Sequence, residues 1–354
     1  MNLHRRTTDS ATVNELSSQA MLSTLSLNGA ATAVDCTYTV RTMAAHDADE
    51  HAHNLSQWQQ LYDQLGRGQF KGELTEVWLD GAQMFSEYTS HTVRQSCVVW
   101  PDSFWFGIPC AAGHSGKIDT KYIGDDMIAL RPGACDFELL TPNDFTILGV
   151  VIDAELLIKH ALEVEHVDPR AVLQQRELLR VGSVAKQRFA GFVQRSLQVM
   201  AKPHSVQQSP AARRALQQAL LEHLLTLLTA VGVEPKLSTS QVHRQRLVGQ
   251  VRDYVLSHRE QTVTVPDLCR AFHVSRRTLQ NSFYEVLGVN PVAYLRSIRL
   301  NAVRRELKNT ESTFNNVQDI AAAWGFWHLS QFASDYKNLF GERPSESLRG
   351  RVVR

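Results

Sequence analysis

Apolar and polar positions change rhythm three times along this chain of 354 residues. In SQWQQLYDQL, residues 56–65, Trp58, Leu61, Tyr62 and Leu65 fall at i, i+3, i+4 and i+7, which predicts an amphipathic helix ended by Gly66. The rhythm then shortens. GELTEVWLD, MFSEYTS, TVRQSCVVW, SFWFGIP, MIALRPG, CDFELL and FTILGVVID are short, β-branched or aromatic, and parted by Gly, Pro, Asn and Asp. They predict an antiparallel barrel or sandwich of about 100 residues, and a closed barrel of that size holds one small ligand.

After Asp153 the helical period returns. VAKQRFAGFVQRSLQVM and ARRALQQALLEHLLTLLTAV repeat apolar residues every three or four positions, as for helices that pack on the barrel or on a second copy in a homodimer. GVEPKLSTS, residues 232–240, reads as a hinge. The boundaries expected are therefore a poorly ordered, Ser/Thr/Ala-rich segment 1–55, a β-rich domain 56–152, a helical coupling or dimerisation region 153–240, and a final domain 241–354. His46, His51 and His53 have spacings seen in metal sites, but a solvated linker accounts for them better, and no metal is expected.

Charge sharpens this division. The last 114 residues hold 17 Lys and Arg against 10 Asp and Glu, whereas the first 240 hold 20 against 26. A near-neutral total thus hides a basic tail domain on an acidic body, which suggests a polyanion for the tail. The five cysteines, Cys36, Cys97, Cys110, Cys135 and Cys269, are widely spaced without CxxC, and read as small buried hydrophobes. No window approaches about 20 consecutive apolar residues and no secretory signal opens the chain, so a cytoplasmic protein is expected.

The basic domain contains a repeat. Gly288 and Pro291 recur as Gly341 and Pro344, an offset of 53, at which Leu279 maps to Phe332, Phe283 to Tyr336 and Leu287 to Phe340. Each copy reads as helix, turn, helix. In the first, Thr264 and Asp267 resemble a capping box, His273-Val274-Ser275 forms the turn, and the second helix starts at Arg276. Arg277, Gln280, Asn281 and Tyr284 then share one outward face, side chains suited to guanine and adenine edges. In the second copy Gln331, Ser334 and Asn338 point out and Trp327 precedes them. About 16 helical residues between the copies span on the order of 24 Å, suited to successive major grooves about 34 Å apart. Arg296, Arg299, Arg304 and Arg305 on that helix are expected phosphate contacts, with Arg276 at the edge of the first reading face.

WGFWHLSQFASDYKNLFGERPSESLR resembles the second half of the AraC/XylS DNA-binding domain, with Gly325, Phe326, Phe332, Tyr336, Lys337, Gly341, Pro344 and Arg349 in the family's places. The resemblance implies base-reading positions at Arg277, Gln280 and Asn281 and at Ser330, Gln331 and Ser334, with Lys337 and Arg343 on the DNA backbone. Many members carry Arg where this chain has Ser334, followed by acidic Asp335, so the second helix is expected to contact DNA more weakly or to read other bases. WQQLYDQLGRGQFKGELTE, RQSCVVWPDSFWFGIP, RPGACDFEL, TPNDFTILGVV, SRRTLQNSF and IRLNAVRREL are similar to bacterial regulators of ethanolamine-utilisation operons. That likeness implies an activator that answers to ethanolamine and adenosylcobalamin, with promoter DNA and RNA polymerase as partners; no DxHxxG-type cobalamin signature occurs. The fold class expected is α+β multidomain: a cupin-like antiparallel β-barrel sensor, a helical linker and an all-α tandem helix-turn-helix domain.

Catalysis is not expected. The strands carry only His91 and His114, near turns, where a barrel oxygenase clusters His and carboxylates, and G-x-S-x-G, the P-loop and GxGxxG before a helix are all absent. A small ammonium ligand calls for aromatic faces and a counter-charge. Trp100, Phe104, Trp105 and Phe106, with Glu138 or Asp102, are the candidates, of which Trp100, Trp105 and Glu138 are preferred.

Overall fold

The seven segments rich in β-branched and aromatic residues all pair as strands. The computed structural model describes residues 39–110, 116–119, 121–201, 209–231, 239–258, 263–312, 314 and 316–350, all inside the unit Tyr38–Arg354. One antiparallel sheet runs β1 (Thr39–Ala45), β3 (Gly72–Leu79), β4 (Ala82–Thr89), β11 (Phe145–Asp153), β6 (Ser103–Pro109), β9 (Met127–Pro132) and β12 (Leu178–Arg180). The other runs β2 (Gln59–Gln64), β5 (Val93–Val98), β10 (Asp136–Thr141), β7 (Lys117–Ile118) and β8 (Lys121–Tyr122). The two sheets do not join into the closed barrel expected. They sandwich a shared core in which Phe85, Trp105, Phe145 and Val151 of the larger sheet meet Cys97, Phe137 and Leu139 of the smaller.

The larger sheet is covered on its other face too. Helices α4 (Ser183–Met200) and α5 (Pro210–Thr229) lay Phe189, Val193, Leu197, Leu220 and Leu224 over Met84, Phe106, Ile108 and Val150. Every residue of β6 is consequently buried, which is why SFWFGIP reads as a continuous apolar run. The Leu-rich helix thus buries its apolar stripe within its own chain. Shorter helices α1 (Ala48–Ala52), α2 (Ala154–His160) and α3 (Arg170–Gln175) complete this half.

Residues 56–65 do not form a helix, because Gln59–Gln64 is strand β2. Tyr62, Asp63 and Gln64 are all buried although successive strand residues face opposite sides, since the C-terminal helices cover the outer face; burial on both sides erased the alternation that signals a strand. Nor is the stretch to residue 55 loosely attached where it is described. Residues 39–45 pair with β3 along their whole length, and α1 is capped by Asp47, whose carboxylate accepts from the N–H groups of Asp49 and Glu50. Residues 1–38 lie outside the described residues.

The C-terminal part is all helix: α6 (Thr239–Ser257), α7 (Val265–Ala271), α8 (Arg276–Leu287), α9 (Pro291–Lys308), α10 (Val317–Ala323), α11 (Leu329–Phe340) and α12 (Pro344–Arg349). The capping box is formed, with Asp267 N–H donating to Thr264 and the Asp267 carboxylate accepting from Thr264 N–H. α8 and α11 both end on a left-handed glycine, Gly288 at φ 72° and Gly341 at φ 76°, and both are followed by a proline at the first position of the next helix. Each copy builds its own core: Leu279, Phe283 and Leu287 with Tyr294 in the first, Phe332, Tyr336 and Phe340 with Leu307 in the second.

Candidate nucleic-acid interface

In each copy a short support helix, α7 or α10, is followed by a second helix, α8 or α11, the one that such motifs lay in a major groove. Burying Leu279, Phe283 and Val286 rotates α8 so that Arg276, Arg277, Gln280, Asn281 and Tyr284 are exposed. In α11 the buried Phe332, Tyr336, Leu339 and Phe340 leave Ser330, Gln331, Ser334 and Lys337 exposed, and Arg343 is exposed just beyond. Ser275 caps α8 by accepting from Thr278 N–H at 3.0 Å, whereas α11 has no side-chain cap. Acidic Asp335 is occupied: it accepts from the Gln331 amide at 3.0 Å and pairs with Arg296 at 3.1 Å.

The basic connecting helix divides. Arg296 is half-exposed, but Arg299 turns inward and donates to the carbonyl of Val263 at 2.6 Å; burial lowers its pKa from the ordinary value. Arg304 and Arg305 do not reach outward as expected. Arg304 binds the buried carboxylate of Asp47, joined by Lys308 at 3.0 Å and Glu342 at 2.8 Å. Arg305 pairs with Asp49 at 2.9 Å and with Asp63, and donates to the Tyr62 carbonyl at 2.7 Å. Burial alone would raise the Asp47 carboxyl, but Arg304 and Lys308 outweigh it and hold it well below the usual carboxylate range.

These pairs belong to a dock between α1 with the smaller sheet and the helical domain. Asn301 bonds the β2 backbone in both directions, accepting from Gln64 N–H and donating to Gln64 C=O, each at 3.0 Å. The sheet also takes hold of the C-terminal ends of both second helices. Lys117 donates to the carbonyls of Glu285 and Val286 in α8 at 2.9 and 3.0 Å. Gln64 and the N–H of Gly68 donate to the Leu339 carbonyl in α11 at 2.8 and 3.1 Å. Last-turn carbonyls lack partners within a helix, so these are bonds the helices need. At the N-terminal ends of both helices, Arg276 and Arg277, then Leu329 and Ser330, are exposed. Sequence reading missed this dock: single polar residues in strands and near turns carry no periodic signal.

The residues expected to hold a ligand are not brought together. Trp105 is in the sandwich interior, stacked on Phe137 at 4.9 Å and 18°. Trp100 is half-buried at its rim, where it and Trp58 donate to Gln83 Oε1 at 3.2 and 3.0 Å. Phe104 and Phe106 face the helical layer instead, and Asp102 is exposed. Glu138 is on the outer side of β10, bound to buried Arg94 and 3.9 Å from Arg252. Four interior atoms lack a partner among the described residues: both amide atoms of Gln95, Gln60 Oε1 and Trp105 Nε1. Of the cysteines, Cys97 is buried but Cys110 and Cys135 are exposed, a correction to the uniform burial expected; Cys36 lies outside the described residues, as does His114. His51 is buried against Glu87 at 3.2 Å rather than solvated in a linker. Among the described residues no cluster of three His, Cys, Asp or Glu could hold a metal, and no helix is long and apolar enough to cross a membrane.

Comparison with known proteins bears on the helical domain. Residues 268–350, which span both copies, match the family model described as a helix-turn-helix domain. The probable thc operon regulatory protein of Rhodococcus erythropolis is 40% identical over 97 residues, covering 27% of this chain and 29% of that one. The XylDLEGF operon transcriptional activator 3 of Pseudomonas putida is 29% identical over 105 residues, 30% of this chain and 32% of that one. The matched region thus spans under a third of each relative's length. Among solved structures, that of the AraC-like transcriptional activator CuxR is 16% identical and covers 74% of this chain and 94% of that one, with a TM-score of 0.38. Residues 268–350 thus match a helix-turn-helix domain model, and this part of the chain is similar to the corresponding part of these operon regulators.

Proposed function

We propose that this protein is a sequence-specific DNA-binding activator of transcription that binds promoter DNA through both helix-turn-helix units and presents a surface to RNA polymerase. The observation that carries the reading is the pair of equivalent helices, α8 and α11, whose polar faces stay exposed on either side of an 18-residue connector, about 27 Å long. Arg277, Gln280 and Asn281, then Ser330, Gln331 and Ser334, are the base-reading side chains; Arg276, Arg296, Lys337 and Arg343 hold phosphates. Arg299, Arg304 and Arg305 are not among them, because their guanidinium groups are committed to Val263, to Asp47 and to Asp49 with Asp63. The test is Arg277→Ala, which should weaken operator binding by about 1–3 kcal/mol and relax the preference at one base pair. An equal loss on operator and random DNA would sink the base-reading role.

The sandwich is the sensor in this reading. What supports it is the unpaired polar set in its interior, Gln60, Gln95 and Trp105, since a buried polar atom without a partner costs about 1–3 kcal/mol. A small molecule with both donors and acceptors answers that set, and ethanolamine, taken from the sequence resemblance, is the first candidate; adenosylcobalamin, implied by the same resemblance, is given no place in the fold. Glu138, engaged by Arg94, is no longer the counter-charge. Thermal unfolding with ethanolamine, other small amines and alcohols, and adenosylcobalamin separates these: a rise in Tm with another amine alone replaces ethanolamine, and no rise with any ligand counts against sensing.

A further inference from the structure

Among the large apolar side chains that the described residues expose, the two most exposed are both on the tandem repeat, Trp327 at 74% and Tyr284 at 71%. Their places are related. At the offset of 53, Arg276 corresponds to Leu329, Arg277 to Ser330 and Tyr284 to Lys337. The first unit therefore opens its second helix with two cations and puts an aromatic ring two turns later. The second unit does the reverse: exposed Trp327 and Leu329 flank the start of α11, and the cation, Lys337, comes two turns on. No Lys or Arg stands at residues 327–334, and the one acid nearby, Asp335, is already paired with Arg296.

The N-terminal end of such a helix is the part that meets base edges. Guanine edges in the major groove offer acceptors that suit cations, and thymine alone offers a methyl group. We infer that Trp327, with Leu329 beside it, packs on thymine methyl groups in the half-site of the second unit, so that the chain recognises an asymmetric pair of half-sites, one by cationic and one by apolar contact. This rests on the DNA-binding reading above.

The experiment uses the full chain and a DNA site obtained from random duplexes by repeated selection for binding. Affinity is measured by fluorescence anisotropy on that site and on copies in which single thymines are replaced by uracil, which removes only the methyl group. Wild type should lose about fourfold at one or two positions in one half-site, the value of one buried methyl-sized group. Trp327→Ala should bind the thymine site more weakly by at least that factor and no longer tell thymine from uracil there; Trp327→Phe should keep part of the difference. The unfolding midpoint should stay in place, because the side chain is exposed, and so should the salt dependence of binding, because no phosphate contact is removed. An alanine variant with the wild-type thymine-to-uracil ratio overturns the inference, as does indifference of wild type to uracil. Intact DNA binding with lost transcription would assign Trp327 to a protein partner and overturn it as well. If wild type prefers no DNA sequence at all, the DNA reading itself fails.

Discussion

Single side chains decide most at the dock. Asp47 caps α1 and at the same time neutralises Arg304 and Lys308, with only 3% of its side chain exposed. Asp47→Asn leaves two cations facing a neutral amide, and should destabilise the chain by about 3 kcal/mol in urea unfolding. The pH dependence has a definite sign. The Asp47 carboxyl is depressed from its ordinary 3.8 by Arg304 and Lys308, which outweigh burial; its stabilisation is complete above 3.8 and is lost as pH falls toward the lower folded value. Wild type should therefore lose stability more steeply than Asp47→Asn below about pH 4. Equal slopes would mean that folding does not depress the Asp47 carboxyl. At this scale the sequence was least legible. Glu138 and Phe137 are neighbours in β10, yet one faces the helical domain and the other the sandwich interior, and only the register says which.

Helices and strands were legible in proportion to how many of their sides are buried. α8 has one buried stripe and one polar face, so its limits and its outward residues could be read from Arg277, Gln280 and Asn281. β2, covered on both sides, has the period of a helix only because Trp58, Leu61, Tyr62 and Leu65 fall by chance at i, i+3, i+4 and i+7. The two left-handed glycines that end α8 and α11 allow a comparison between equivalent elements. A Cβ on Gly288 would meet nothing within 4 Å, whereas one on Gly341 would come 3.0 Å from the backbone nitrogen of Gln69. Gly288→Ala should cost about 1–2 kcal/mol through its φ alone. Gly341→Ala should cost more and should speed amide hydrogen exchange at Gly68, whose N–H is bonded to Leu339. Similar costs with unchanged exchange would show that the backbone of residues 68 and 69 yields easily.

For the molecule as a whole, composition already separated an acidic body from a basic tail, and the repeat marked the tail's two units. What joins them to the sandwich was not legible, because it depends on side chains far apart in sequence: Asn301 with Gln64, Lys117 with Glu285, Asp47 with Arg304. Asn301→Ala removes the partner of both Gln64 backbone groups, leaving a buried N–H and C=O without bonds. It should lower stability by about 2 kcal/mol and expose the Gln64 amide to exchange while the strands of the larger sheet stay protected. Loss of protection throughout both sheets would mean that the dock and the sandwich unfold as one.

The grip of one sheet on the carbonyl ends of both α8 and α11 has a mechanical meaning. Two arms held at their bases by a single plate act as a caliper, whose jaws are the exposed N-terminal ends. Its opening is set by the plate, through Lys117 at one base and Gln64 with Gly68 at the other. Under the function proposed above, a duplex whose grooves are out of step with the seated plate would have to bend or twist to fit, and without the plate the connecting helix alone would set the gauge.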